Sequence, residues 1–156
     1  MASPTLVIGN KAYSSWSLRP WLLMKHAGIA FQEVRIPLYR EDSKKTILRY
    51  SPAARVPVLV DGSLTVWDSL AICEYLAEKH PQKQLWPGDT RARANARSIS
   101  AEMHSGFVNL RGQMAMNVRR RMPGRGKTPE VLAEISRIDL DDPDERLMTE
   151  LQLRRP

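Results

Sequence analysis

The stretch "RVPVLVDGSLTVW" at residues 55–67 constrains this chain more than any other. Pro57 to Val60 is short, apolar and β-branched, and Asp61-Gly62 is a tight-turn dipeptide. Leu64-Thr65-Val66-Trp67 has the same strand character. Two such runs at this separation form an antiparallel hairpin. The segments around it fix the rest of the unit. Thr5 to Ile8 reads as a buried strand closed by Gly9-Asn10. Trp16 to His26 follows the helical period, with Gly28 as its stop. Phe31 to Ile36 alternates like a strand and ends at Pro37. Glu41 to Arg49 reads as a polar amphipathic helix, with Ser51-Pro52 as its terminator. Ser69 to Lys79 is a further helix, closed by His80-Pro81. The order βαβαββα therefore fills residues 1–81 as a small α/β unit.

The pattern changes after that. "QKQLWPGD", residues 82–89, reads as a linker punctuated by Pro87-Gly88. Residues 90–156 read as all-helical, without internal repeats. Asp89 or Thr90 caps an expected long helix. Its apolar stripe is Ile99, Met103, Phe107, Leu110, Met114 and Val118, and Met122-Pro123-Gly124 ends it. Thr128-Pro129-Glu130 opens a shorter helix with a hydroxyl cap, a proline at the first position and an acid in the first turn. Asp141-Asp142-Pro143-Asp144 reads as a helix breaker.

Bulk properties narrow the function classes. The net charge is +7, spread over both halves, with its densest cluster at Arg119-Arg120-Arg121 near Arg125 and Lys127. Cations suit a helix C-terminus, so this cluster reads first as a solvated helix end and only second as a weak phosphate-binding patch. No zinc-finger spacing or RNA-binding motif occurs, and a modest positive field equally suits a small acidic molecule. No apolar run approaches the ~18 residues that span a bilayer. Neither nucleic acid nor membrane is expected as a partner. The N-terminus lacks the basic and apolar regions of a secretory signal. The single cysteine, Cys73, rules out an internal disulfide, fits a reducing cytoplasm, and falls on the apolar side of its helix as a core residue.

Three short motifs carry the chemistry. "YSSWSLRP" at residues 13–20 places three hydroxyls at the mouth of the first helix. Val56-Pro57 opens a strand, where proline marks an edge or a cis bond. A cis bond would turn the Val56 backbone N–H and C=O out of the sheet to meet an extended peptide. Asp68-Ser69 caps the helix that follows it. The same helix mouth also suits a carboxylate, and Asp68 an ammonium, the two charges of an α-amino acid terminus.

Together these motifs resemble the glutathione S-transferase family, serine-type, closest to its zeta and related bacterial classes. The matching residues are Ser14-Ser15-Trp16-Ser17-Leu18-Arg19, Val56-Pro57 and Asp68-Ser69-Leu70-Ala71-Ile72, in the family's order and spacing. The resemblance implies a thioredoxin-like N-terminal domain followed by a partial all-α domain, fading after about residue 139. It implies Ser14 as the catalytic serine, with Ser15 as its neighbour and substitute. Glutathione, the co-substrate, would meet the Val56 backbone beside the cis-proline Pro57. Asp68 and Ser69 would hold its γ-glutamyl end, with Arg55 and Lys44 near its glycyl carboxylate. No metal is implied. Thioredoxin-fold proteins commonly carry Cys-x-x-Cys where Ser14 and Ser17 stand here. A hydroxyl forms no mixed disulfide, but it can stabilise a bound thiolate, so the reactive sulfur would be the ligand's. The implied activity is conjugation of glutathione to soft electrophiles, a cytoplasmic detoxification chemistry carried out by a homodimer. A glutathione-dependent isomerase of the maleylacetoacetate type is the alternative, and a non-catalytic glutathione-binding or protein-interaction module is another. Arg19 reads as structural, and Trp16, Trp21 and Trp67 as core packing.

Overall fold

The structure, a computed structural model, describes residues 3–139. The helix breaker expected at Asp141–Asp144 lies outside the described residues. The chain forms two compact units, one reaching to Ser100 and the other starting at Ala101.

In the first unit, β1 (Thr5–Ile8), α1 (Ser15–His26), β2 (Gln32–Arg35), α2 (Ser43–Ile47), β3 (Val58–Asp61), β4 (Leu64–Trp67) and α3 (Ser69–Lys79) follow in the expected order. The sheet order is β2-β1-β3-β4. β1 runs parallel to β2, β3 antiparallel to both of its neighbours. This is a thioredoxin-like arrangement. Strand alternation sorts the core into two layers. Leu6, Ile8 and Leu59 pack with Met24, Ile29, Ile72 and Leu76 from the α1/α3 side. Val7 and Val58 point the other way and pack with Ile36 and Ile47 of the α2 side. The two-residue hairpin loop is Gly62-Ser63 rather than Asp61-Gly62, because Asp61 still pairs with Leu64. Gly62 takes a φ of +62°, which glycine adopts at little cost. α2 is shorter than the 41–49 span expected, because Ser43 closes a turn ahead of it, accepting from the Arg40 amide and donating to the Pro37 carbonyl.

Beyond α3, a 3-10 turn at Pro81–Lys83 leads into α4 (Thr90–Ser105). The compact-unit division falls inside α4 rather than in the linker at 82–89. The first turns of that helix stay with the first unit, where Arg97 bonds both carboxylate oxygens of Glu74 and lies over the Trp86 ring.

The expected continuous helix to Met122 is not formed. It breaks at Gly106-Phe107, where Phe107 has a φ of +60°, and resumes as α5 (Val108–Gln113). Arg111 stabilises the break by donating to the carbonyls of Met103 and Gly106. Glu134, on α6 (Pro129–Asp139), accepts from the Asn109 and Leu110 amides and so caps α5. The turn is thus held by side chains remote in sequence, which the apolar stripe does not encode. Among the described residues three helices stand where two were expected. The opening of α6 is as expected, with Thr128 accepting from the Val131 amide.

Candidate functional site

Strand register brings the three motifs to one edge of the sheet. Ile8 ends β1 and leads through Gly9 to Ser14 at the head of α1. Val7 faces Val58, so the Val56–Pro57 peptide bond, which is cis, lies beside the β1 exit. Val58 also faces Trp67, which places Asp68 and Ser69 at the same edge. Two helix N-termini and the start of β3 therefore converge. Such an edge suits an anionic ligand, because helix N-termini present amide donors and a partial positive charge.

Ser14 is buried, at 7% exposure, and occupies the N-cap position of α1. A serine there ordinarily accepts from an amide of the first turn. Ser14 makes no such bond; its hydroxyl donates to Ser17 Oγ at 2.9 Å. Ser17 Oγ also accepts from the Gly9 amide at 3.0 Å. The sequence reading left Ser17 without a role, yet it orients Ser14. The signal was its spacing of three residues from Ser14, one helical turn. Ser15 begins α1, partly exposed, its amide bonding the Tyr13 carbonyl.

Asp68 caps α3 as expected, its Oδ1 accepting from the Leu70 and Ala71 amides at 2.8 and 3.3 Å. It does so from a backbone φ of +76° and ψ of 136°, a region that non-glycine residues rarely occupy. Ser69 is fully buried, at 1% exposure, and its hydroxyl has no hydrogen-bond partner among the described residues. An orphaned buried hydroxyl costs about 1–3 kcal/mol unless something else satisfies it.

The remaining candidates are less tightly placed. Arg55 is exposed immediately before Val56, and Lys44 is exposed on the first turn of α2. Cys73 is partly rather than fully buried. Burial pushes its thiol up to about 11, with Arg19 partly opposing, so it stays protonated near neutral pH. Arg19 lies over the Trp16 ring at 4.4 Å. Trp21 packs against the core through its ring and donates to Glu33, whereas Trp67 is 49% exposed, against the core role expected of it. On the second unit Phe107 is buried while Met114 is exposed.

Comparison with known proteins adds a separate line of observation. Residues 13–79 match the family described as glutathione S-transferase, N-terminal domain. A probable maleylacetoacetate isomerase of Caenorhabditis elegans is 37% identical over 107 residues, 69% of this chain and 49% of that protein. A zeta-class glutathione S-transferase of Euphorbia esula is 33% identical over 92 residues, 58% of this chain and 41% of its own. Among solved structures, a Burkholderia glutathione transferase homologue with bound glutathione superposes with a TM-score of 0.59 at 28% identity. That match covers 70% of this chain and 57% of the other. The chain spans half the length, or less, of these curated relatives.

Proposed function

We propose, since this chain belongs through its N-terminal domain to the glutathione S-transferase family, that it binds glutathione along the edge carrying Ser14, Val56–Pro57 and Asp68–Ser69. The reaction is attack of the glutathione thiolate on a soft electrophile. The observation that carries this reading is a pair of buried serine hydroxyls at one sheet edge, neither capping a first-turn amide: Ser14 bonds the Ser17 side chain, and Ser69 has no partner among the described residues.

Ser14 turns from Ser17 to donate to the thiolate, and the N-terminus of α1 favours the same charge. One charge-assisted hydrogen bond of about 1.5–3 kcal/mol lowers a thiol pKa by roughly one to two units. The Ser69 hydroxyl at the head of α3 meets the γ-glutamyl carboxylate, and Asp68 its ammonium. The Val56 backbone pairs with the cysteinyl unit, and Arg55 and Lys44 face the glycyl carboxylate. Self-association as a homodimer belongs to the same proposal; the exposed Val108 and Leu132 of the second unit support it, and light scattering measures it.

A titration of the bound thiol by its thiolate absorbance tests the central step. Ser14→Ala raises that pKa by about one to two units while affinity stays within a few-fold. An unchanged titration in Ser14→Ala, with a shift in Ser15→Ala or Ser17→Ala instead, removes Ser14 from the role. The relatives bearing the name maleylacetoacetate isomerase favour a second reading, glutathione-dependent cis–trans isomerisation at the same site. Turnover of a generic aryl halide against turnover of maleylacetoacetate separates the two, and glutathione binding with neither points to a binding module.

A further inference from the structure

We propose that the segment joining α5 to α6 docks this chain onto an anionic lipid surface. The arginine cluster was expected at a helix C-terminus, but α5 ends at Gln113, and residues 114–128 lie outside regular helix. The helix dipole therefore does not account for it, since that effect fades within the last turn.

From Met103 to Pro129 the sequence contains no aspartate or glutamate. Arg119, Arg120, Arg121, Arg125 and Lys127 are all exposed. The acids that flank the segment are engaged elsewhere. Glu102 holds Arg137, Glu134 holds the first amides of α5, and Glu130 bonds its own amide and Thr128. Among the described residues no ion pair joins any of the five cations to an acid. A cluster of four to eight basic side chains is of the size that anionic headgroups recognise.

The neighbours of the cations choose between polyanions. Met114, Val118 and Met122 are exposed by 39%, 71% and 39%, interleaved with the arginines. Apolar side chains so placed enter the interfacial zone of a bilayer while the guanidinium groups reach its phosphates. The phosphate backbone of a nucleic acid offers them nothing comparable. Single-strand binders stack bases on aromatic rings, and no aromatic residue follows Phe107 in this chain. Major-groove readers insert a helix or a β-ribbon, and this segment is neither. The contact is peripheral: among the described residues no helix is long and apolar enough to cross a membrane.

Vesicle co-sedimentation of the 156-residue chain tests this. The chain should partition onto phosphatidylcholine vesicles containing about a third phosphatidylserine, not onto phosphatidylcholine alone, and should be released as salt rises. Arg119→Gln/Arg120→Gln/Arg121→Gln should partition about a hundredfold more weakly, at roughly fivefold per cation near the surface. Val118→Ser/Met122→Ser keeps the charge and should still lose several-fold. All five positions are exposed, so thermal melts of both variants should match the parent. Equal partitioning onto the two vesicle types, or a triple variant that partitions like the parent, overturns the proposal. Duplex DNA that displaces the chain from vesicles, with the Val118→Ser/Met122→Ser variant binding as tightly as the parent, overturns it in favour of nucleic acid.

Discussion

Gly9 shows how one residue governs the candidate site. Its φ is unremarkable, but its surroundings leave no room for a side chain. A Cβ there would stand 2.6 Å from Leu38 Cδ1 and 3.1 Å from Ser14 Oγ. The Gly9 amide also holds Ser17, which in turn holds Ser14. Gly9→Ala should therefore fold, because the end of Leu38 can shift, yet disturb the Ser14 hydroxyl. Catalytic turnover should fall about tenfold or more while glutathione affinity changes little, a split that steady-state kinetics reads directly. Equal losses in kcat and in affinity would mean that the crowding reaches the whole binding edge.

At the level of elements, the hairpin and α3 are joined by Asp61. Its carboxylate accepts from Lys79 and, at 2.7 Å, from the Tyr75 hydroxyl. Those bonds, Lys79 first and Tyr75 second, hold Asp61 below its ordinary value of 3.8 despite partial burial. A lowered carboxylate pKa contributes stability above the unfolded value and loses it as pH falls through the folded one. Asp61→Asn should be less stable than the parent near neutral pH, by about 1 kcal/mol after discounting for partial exposure. The gap should close as pH falls below about 4. Urea melts at neutral and acidic pH measure it, and a gap that persists unchanged in acid would show that the Asp61 charge is not what joins the two elements.

For the whole molecule, every proposed glutathione contact lies between Ser14 and Ser69, inside the unit that ends at Ser100. Its two core layers are complete without the second unit. A fragment of residues 1–100 should therefore fold cooperatively and bind glutathione within a few-fold of the full chain, as calorimetry would report. Failure to fold would show that the second unit contributes to the stability of the first, and folding without binding would place a ligand contact beyond Ser100.

The sequence by itself determined the order of elements in the first unit, because strand alternation, helical period and glycine or proline punctuation are local properties of the backbone. It also marked Ser14, Val56–Pro57 and Asp68–Ser69, whose residue types at those positions are informative before any packing is known. The tertiary structure decided which hydroxyls at a helix mouth do not cap. Serine at a helix mouth reads as a cap, and only the bond from Ser14 to Ser17 and the orphaned oxygen of Ser69 separate these two from caps. It also decided the course of the second unit. An apolar stripe with helical spacing runs straight through Gly106-Phe107, but the helix breaks there because Arg111 takes up the freed carbonyls and Glu134 caps the next turn. These partners lie up to 28 residues from the break by sequence number, from Gly106 to Glu134, a distance that no local pattern spans.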